Sequence, residues 1–161
     1  MLPASPRFFG WRVVRAAFLV AMLGWGLGFY GPPVFLHAVQ EARGWPVALV
    51  SLSVTCQFLA GAALVAQVPR LHRRNGLPAV TLAGGALAAV GVLGWAVAAE
   101  PWQLFAATLV SGAGWAMTGG VAINAIVAPW FIRRRPAALG AAYNGASIAG
   151  VLLTPLWVTL I

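Results

Sequence analysis

Five mainly apolar stretches follow one another along the chain, each long enough to cross a bilayer as an α-helix, which takes about 20 residues. They cover residues 13–36, 46–68, 77–99, 101–127 and 136–161, to within a turn at each end. Polar residues gather in the short links between them: Glu41-Ala42-Arg43-Gly44-Trp45, Arg73-Arg74-Asn75-Gly76, Glu100-Pro101 and Arg133-Arg134-Arg135-Pro136. Pro46, Pro101 and Pro136 each open a stretch, and proline suits the first turn of a helix. Strands are a poor fit, because barrel strands alternate apolar and polar residues over about 10 positions. Short links favour antiparallel neighbours. The pattern predicts an all-α membrane protein with five transmembrane helices.

Charge adds an orientation. Nine of the ten basic residues form three clusters: Arg7, Arg12 and Arg15; Arg70, Arg73 and Arg74, with His72 among them; and Arg133, Arg134 and Arg135. These occupy every second boundary, and the only two acids, Glu41 and Glu100, occupy the others. Basic loops are retained on the cytoplasmic side. The expected topology is therefore a cytoplasmic N-terminus in a multi-pass protein of a bacterial inner membrane. Trp11, Trp45, Trp102 and Trp130 stand near predicted boundaries, at the depth where amphipathic rings settle. Trp25 and Trp115 fall within spans and need another account.

Composition excludes several classes. The chain is 61% hydrophobic and 7% charged, where a soluble domain carries about a quarter charged residues. Its net charge of +8 would suit nucleic acid, but the arginines are dispersed between apolar runs. Anionic lipid headgroups fit them better. Cys56 is the only cysteine, so no intrachain disulfide forms. The apolar run from Ala16 to Leu36 exceeds the 7–15 residues, roughly, of a signal peptide core, and is read as a retained span. Ile161 closes an apolar helix without a polar tail, which suggests the front part of a longer protein.

No span carries an Asp, Glu, Lys, Arg or His at its centre. Such residues usually mark ion or proton paths, and hydrolytic or metal chemistry needs them within reach of one another. No enzyme activity, metal or cofactor is expected. The remaining candidates are neutral. Asn144 and Ser147 share a face of the fifth span with Gly140, Val151 and Thr154, because three- and four-residue steps align on a helix. Asn144 can hold a carboxylate or hydroxyl, or simply bond a neighbouring helix. Thr108, Ser111, Trp115, Thr118 and Ala122 form a stripe on the fourth span, and Trp115 can wall a cavity or pack. Asn124 lies on nearly the opposite face and could join that stripe only through a helix distortion, so a packing or gate role is expected for it. Gln57 is near mid-membrane, as a cavity liner or an interhelical bond. Tyr30 precedes Gly31-Pro32-Pro33, where the helix should break, and a break is tolerated only against protein or a water-filled cavity. The arginines, Arg73, Arg74 and Arg133 to Arg135, set topology and are candidate gate residues that cap neighbouring helix ends.

The segment 128–150 (Ala-Pro-Trp-Phe-Ile-Arg-Arg-Arg-Pro-Ala-Ala-Leu-Gly-Ala-Ala-Tyr-Asn-Gly-Ala-Ser-Ile-Ala-Gly) resembles the link between the fourth and fifth helices of the major facilitator superfamily. It is most similar to the monocarboxylate and oxalate/formate porter branch, with an aromatic pair, a basic cluster and an Ala-Leu-Gly helix start. Gly31-Pro32-Pro33 resembles the end of that branch's first helix, and Gly44-Trp45-Pro46 the start of its second. One departure stands out. Where the superfamily's loop between helices two and three has Asp-Arg-x-Gly, this chain has Arg73-Arg74-Asn75-Gly76. The resemblance implies the first five of about twelve helices and a missing C-terminal half. It also implies a small-molecule solute, such as a small organic anion, moved by alternating access. The ionic groups for that chemistry would lie in the other half. A stand-alone five-span protein that binds or scaffolds a partner is the alternative from the residues alone.

Overall fold

The computed structural model describes residues 9–161; Arg7 of the first basic cluster lies outside them. Those residues form helices and links without a strand, and five helical runs are long and apolar enough to span a membrane: Gly10–Arg43, Val47–Val65, Leu77–Val97, Pro101–Trp130 and Arg135–Leu160.

The first span is two helices, α1 (Gly10–Gly28) and α2 (Gly31–Arg43). The sequence placed its end near Leu36, and the structure corrects this. Pro32 and Pro33 sit in the first turn of α2, where backbone N–H groups have no acceptor within that helix, so their missing N–H groups leave α2 itself intact. The prolines therefore break the span and also restart it. It ends only at Gly44, whose φ of 67° is the left-handed conformation suited to glycine after a helix. Glu41 thereby sits on the helix, exposed and one turn from His37.

The second span, α3 (Val47–Val65), stops short of the expected residue 68. After a turn at Ala66 and Gln67 the chain starts α4 (Val68–Asn75), which has Pro69 in its first turn and His72, Arg73 and Arg74 in its last. The third span is α5 (Leu77–Val97). A capping box opens α6 (Pro101–Thr118): the Gln103 side chain accepts from the Ala99 N–H at 2.7 Å and the Glu100 N–H at 3.1 Å. Such a pair satisfies donors that the helix start leaves free. Gly119, in extended conformation, separates α6 from α7 (Gly120–Val127). A 3-10 turn at Ala128–Trp130 then completes the fourth span. The fifth, α8 (Arg135–Leu160), carries Pro155 inside it.

The helices meet most extensively as α5 with α6, α1 with α8, and α3 with α6. Glycine makes these seams close. A Cβ on Gly114 would overlap the backbone of Ala88, and one on Gly145 would overlap the Phe18 carbonyl. Lipid tails supply no hydrophobic drive between helices, so such close packing must hold them together. The outer faces are apolar instead: Leu82 is 74% exposed, Val97 73% and Val151 71%. In water that surface would aggregate; in lipid it is solvated. Aromatic pairs gather near the basic end, with Trp11 against Phe131 at 5.3 Å and Phe9 against Trp130 at 5.6 Å between ring centroids.

Candidate functional site

The two broken spans cross each other next to their breaks. Gly24 and Gly28 on α1 face α6: a Cβ on Gly24 would stand 3.0 Å from Thr118 Oγ1, and one on Gly28 would overlap the Trp115 side chain. The Gly24/Gly28 pair therefore lets the first span lie against the last turn of α6. This is where the chain departs furthest from simple helices, and its polar atoms gather here.

Gln57 is fully buried among α1, α3 and α6. Its Nε2 donates to the Gly28 carbonyl at 3.2 Å. Its Oε1 stands 3.2 Å from Ser111 Oγ, which is also 3.0 Å from the Thr108 carbonyl, so one proton serves two acceptors. Trp95 Nε1 completes the node, donating to Ser111 Oγ at 3.5 Å. Gln57 thus faces no open space. Its amide is engaged between α3, α1 and α6.

Trp115 and Tyr30 stand at the two ends of an aromatic run. Trp115 meets Phe58 edge-on at 5.5 Å, Phe58 meets Phe29 at 6.3 Å, and Phe29 meets Tyr30 at 5.2 Å. Tyr30 is half-buried at the start of α2, and Gly150 of α8 gives its ring room. Trp115 is half-buried, but its Nε1 is sealed from solvent without a hydrogen-bond acceptor. A buried indole N–H normally has a partner, and among the described residues this one has none.

Asn144 and Ser147 are exposed. The opposite side of α8, through Ala138, Ala142, Gly145 and Ala149, is buried. The face carrying Gly140, Asn144, Ser147 and Val151 is left uncovered by the other four spans. Asn124 donates through Nδ2 to the Gly120 carbonyl at 2.8 Å and lies 2.8 Å from the Tyr143 hydroxyl, which itself donates to Gly120 at 3.1 Å. The distortion that the sequence required for Asn124 to leave its face exists, at Gly119. It turns Asn124 towards α8.

The arginines lie at one end. Arg73 and Arg74 are exposed in the last turn of α4, where the helix dipole favours cations. Arg133 and Arg134 are exposed before α8, and Arg135 is its first residue, with Nε donating to the Phe131 carbonyl at 3.1 Å. The third cluster sits at a helix N-terminus, the end that disfavours cations, and only the Phe131 carbonyl offsets this. His72, beside the second cluster, has Nε2 buried without a partner, and burial holds its pKa below the usual value.

Sequence reasoning missed Tyr143, Trp95 and Trp157. Trp157 Nε1 donates to the Gly26 carbonyl at 3.2 Å, and Tyr143 packs edge-on against Trp25 at 6.0 Å, which accounts for that tryptophan inside a span. The available signal was an aromatic with a polar tip inside a span, since such a tip needs a partner. A separate cavity of about 230 Å³ opens between Phe35, Val39, Trp95 and Trp157. It is apolar and is lined by none of the candidates. Among the described residues no cluster of His, Cys, Asp or Glu could hold a metal ion.

No family model matches the chain, and no solved structure matches it. Curated relatives do. The chain is 31% identical over 95% of its length to monocarboxylate transporter 11 of Homo sapiens, and covers 33% of that protein. Against monocarboxylate transporter 11 of Mus musculus it is also 31% identical, covering 34%. Against monocarboxylate transporter 13 of Rattus norvegicus it is 31% identical over 92% of the chain, again covering 34%. These relatives are transporters, not enzymes. With five helices able to span a membrane and these relatives, the chain is an integral multi-pass membrane protein related to the monocarboxylate transporters of the major facilitator superfamily, spanning about a third of the length of the relatives it matches.

Proposed function

We propose that the chain is the N-terminal portion of a secondary active transporter that moves a small organic anion, such as a monocarboxylate, by alternating access. One observation carries this reading: the first and fourth spans both break, and they cross beside the breaks. Discontinuous helices near the midplane build transporter sites, and irregular backbone at that depth is tolerated only against protein or a water-filled cavity. Tyr30, Trp115 and the uncovered Asn144/Ser147 face then form one wall of the solute path. The facing wall, and any cation that pairs with the anion, belong to the C-terminal half. Arg73, Arg74, Asn124 and Arg133 to Arg135 form the cytoplasmic end, against anionic lipid and beside the gate, with the N-terminus inside a bacterial inner membrane.

Five spans supply one wall only, so the isolated chain is inactive. Labelled monocarboxylate uptake into liposomes tests this. The chain alone should match empty vesicles, and the chain assembled with its C-terminal half should exceed them. Uptake by the chain alone, or none by the assembled pair, rejects the reading.

A further inference from the structure

The break in the first span leaves specific backbone carbonyls without their helical donors. In an α-helix each N–H bonds the carbonyl four residues back. Position 32 is proline and has no N–H, so the Gly28 carbonyl loses its donor. The Tyr30 N–H turns to the Trp25 carbonyl, which also accepts from Phe29, so the Gly26 carbonyl loses its donor as well. Within lipid an unpaired carbonyl has no water to turn to.

Two of the vacated acceptors, Gly28 and Gly26, are taken by side chains from other spans. Gln57 of α3 donates to Gly28, and Trp157 of α8 donates to Gly26. Each donor is itself braced. Gln57 is held through Oε1 by Ser111, which Trp95 supports. The Trp157 ring meets Phe35, one turn into α2, edge-on at 5.6 Å, and Trp95 meets the same ring at 5.8 Å.

We propose that Gln57 and Trp157 are positioning residues that replace two of the lost backbone donors, those of Gly28 and Gly26, and so fix the joint between α1 and α2. The first span then follows the second and fifth at its break. A shift of α3 or α8 moves one carbonyl, and the angle of α2 changes with it. That consequence for gating rests on the transporter reading; the two hydrogen bonds do not.

Carbonyl chemical shifts test the bonds directly in the detergent-solubilised chain. Gly-Phe occurs once in the sequence, at 28–29, and Gly-Leu twice, at 26–27 and 76–77. Carbonyl-13C glycine paired with 15N-phenylalanine therefore isolates Gly28. Paired with 15N-leucine it gives Gly26, with Gly76 as an internal control. Gln57→Leu should move the Gly28 carbonyl upfield and leave Gly26 in place, and Trp157→Phe should do the reverse. Gln57→Asn, which withdraws the amide by one methylene, carries the first arm if the leucine variant fails to fold. If the Gly28 and Gly26 carbonyls stay where they are in variants whose remaining spectrum is unchanged, the proposal is overturned. Equal movement of both carbonyls in either variant overturns it too, since that reports general loosening. Uptake by the chain assembled with its C-terminal half is scored separately, so lost transport with unmoved carbonyls is not mistaken for failure of the joint.

Discussion

The two breaks draw their hydrogen bonds from different places. At the first, Pro32 lacks an N–H and the Tyr30 N–H turns to Trp25, and the replacements at Gly28 and Gly26 come from α3 and α8. At the second, Gly119 turns the chain, and the hydroxyl of the preceding residue, Thr118, lies back on its own helix, 3.0 Å from the Gly114 carbonyl and 3.4 Å from the Trp115 carbonyl. Below it, the Ile123 N–H returns to the Gly119 carbonyl at 3.1 Å. The Gly28 and Gly26 carbonyls at the first break therefore depend on other spans, while the second combines a bond within its own helix with one from α8, where the Tyr143 hydroxyl donates to the Gly120 carbonyl at 3.1 Å. A break satisfied from outside couples helices; one satisfied from within is a local kink.

The comparison can be broken at four points, from the largest effect down. Gly28→Val should cost most, because its side chain would overlap Trp115 where the two spans cross. Overpacking of this kind costs about 1–3 kcal/mol, read as a lower midpoint of thermal unfolding in detergent. A midpoint equal to that of the original chain would mean that the crossing is loose.

Gln57→Leu strands the Gly28 carbonyl, and an unmade buried bond costs about 1–3 kcal/mol. The sharper measurement is a double-mutant cycle with Pro32→Ala, which returns an N–H to position 32. If Gln57 replaces that donor, its loss should cost less in the alanine background. Simple additivity would separate the glutamine from the break.

Thr118→Val removes the hydroxyl that the second break lays back on its own helix. Polar contacts between residues in membranes average about 0.6 kcal/mol, so the loss should be well below that of Gln57→Leu. A loss as large would erase the distinction between the two breaks.

The smallest effect concerns α4, which packs against α7 just below the second break. His72 has its folded pKa held below the unfolded value by burial. The unfolded chain then binds the proton first, so stability from the neutral ring is complete above the unfolded value of about 6.5 and falls as pH drops through and below it. Amide exchange in α4 should quicken on acidification over that range. His72→Ala should remove the dependence, and exchange that stays pH-sensitive in the variant would clear His72 of the role.

The five spans and the arginine end were legible because both follow from composition over long windows. Twenty apolar residues must leave water wherever they lie. The Pro32/Pro33 break was legible as well, since proline changes the backbone by itself. Its extent was not: the sequence put a break inside a span ending near Leu36, whereas the helix that restarts runs to Arg43. Gly119 was one of several glycines, and nothing local distinguished a break from a seam.

The sequence by itself determined the apolar spans, their number, the side that gathers arginine, and the absence of charge at span centres. Each is a property of residue type against lipid or water and needs no neighbour. Only the tertiary structure decided that Gln57 is spent on Gly28, that Trp157 reaches Gly26 across 131 positions, and that Asn144 stays uncovered. A hydrogen bond between helices depends on their rotation and crossing, which glycine seams fix by shape. That information exists only once the helices are packed.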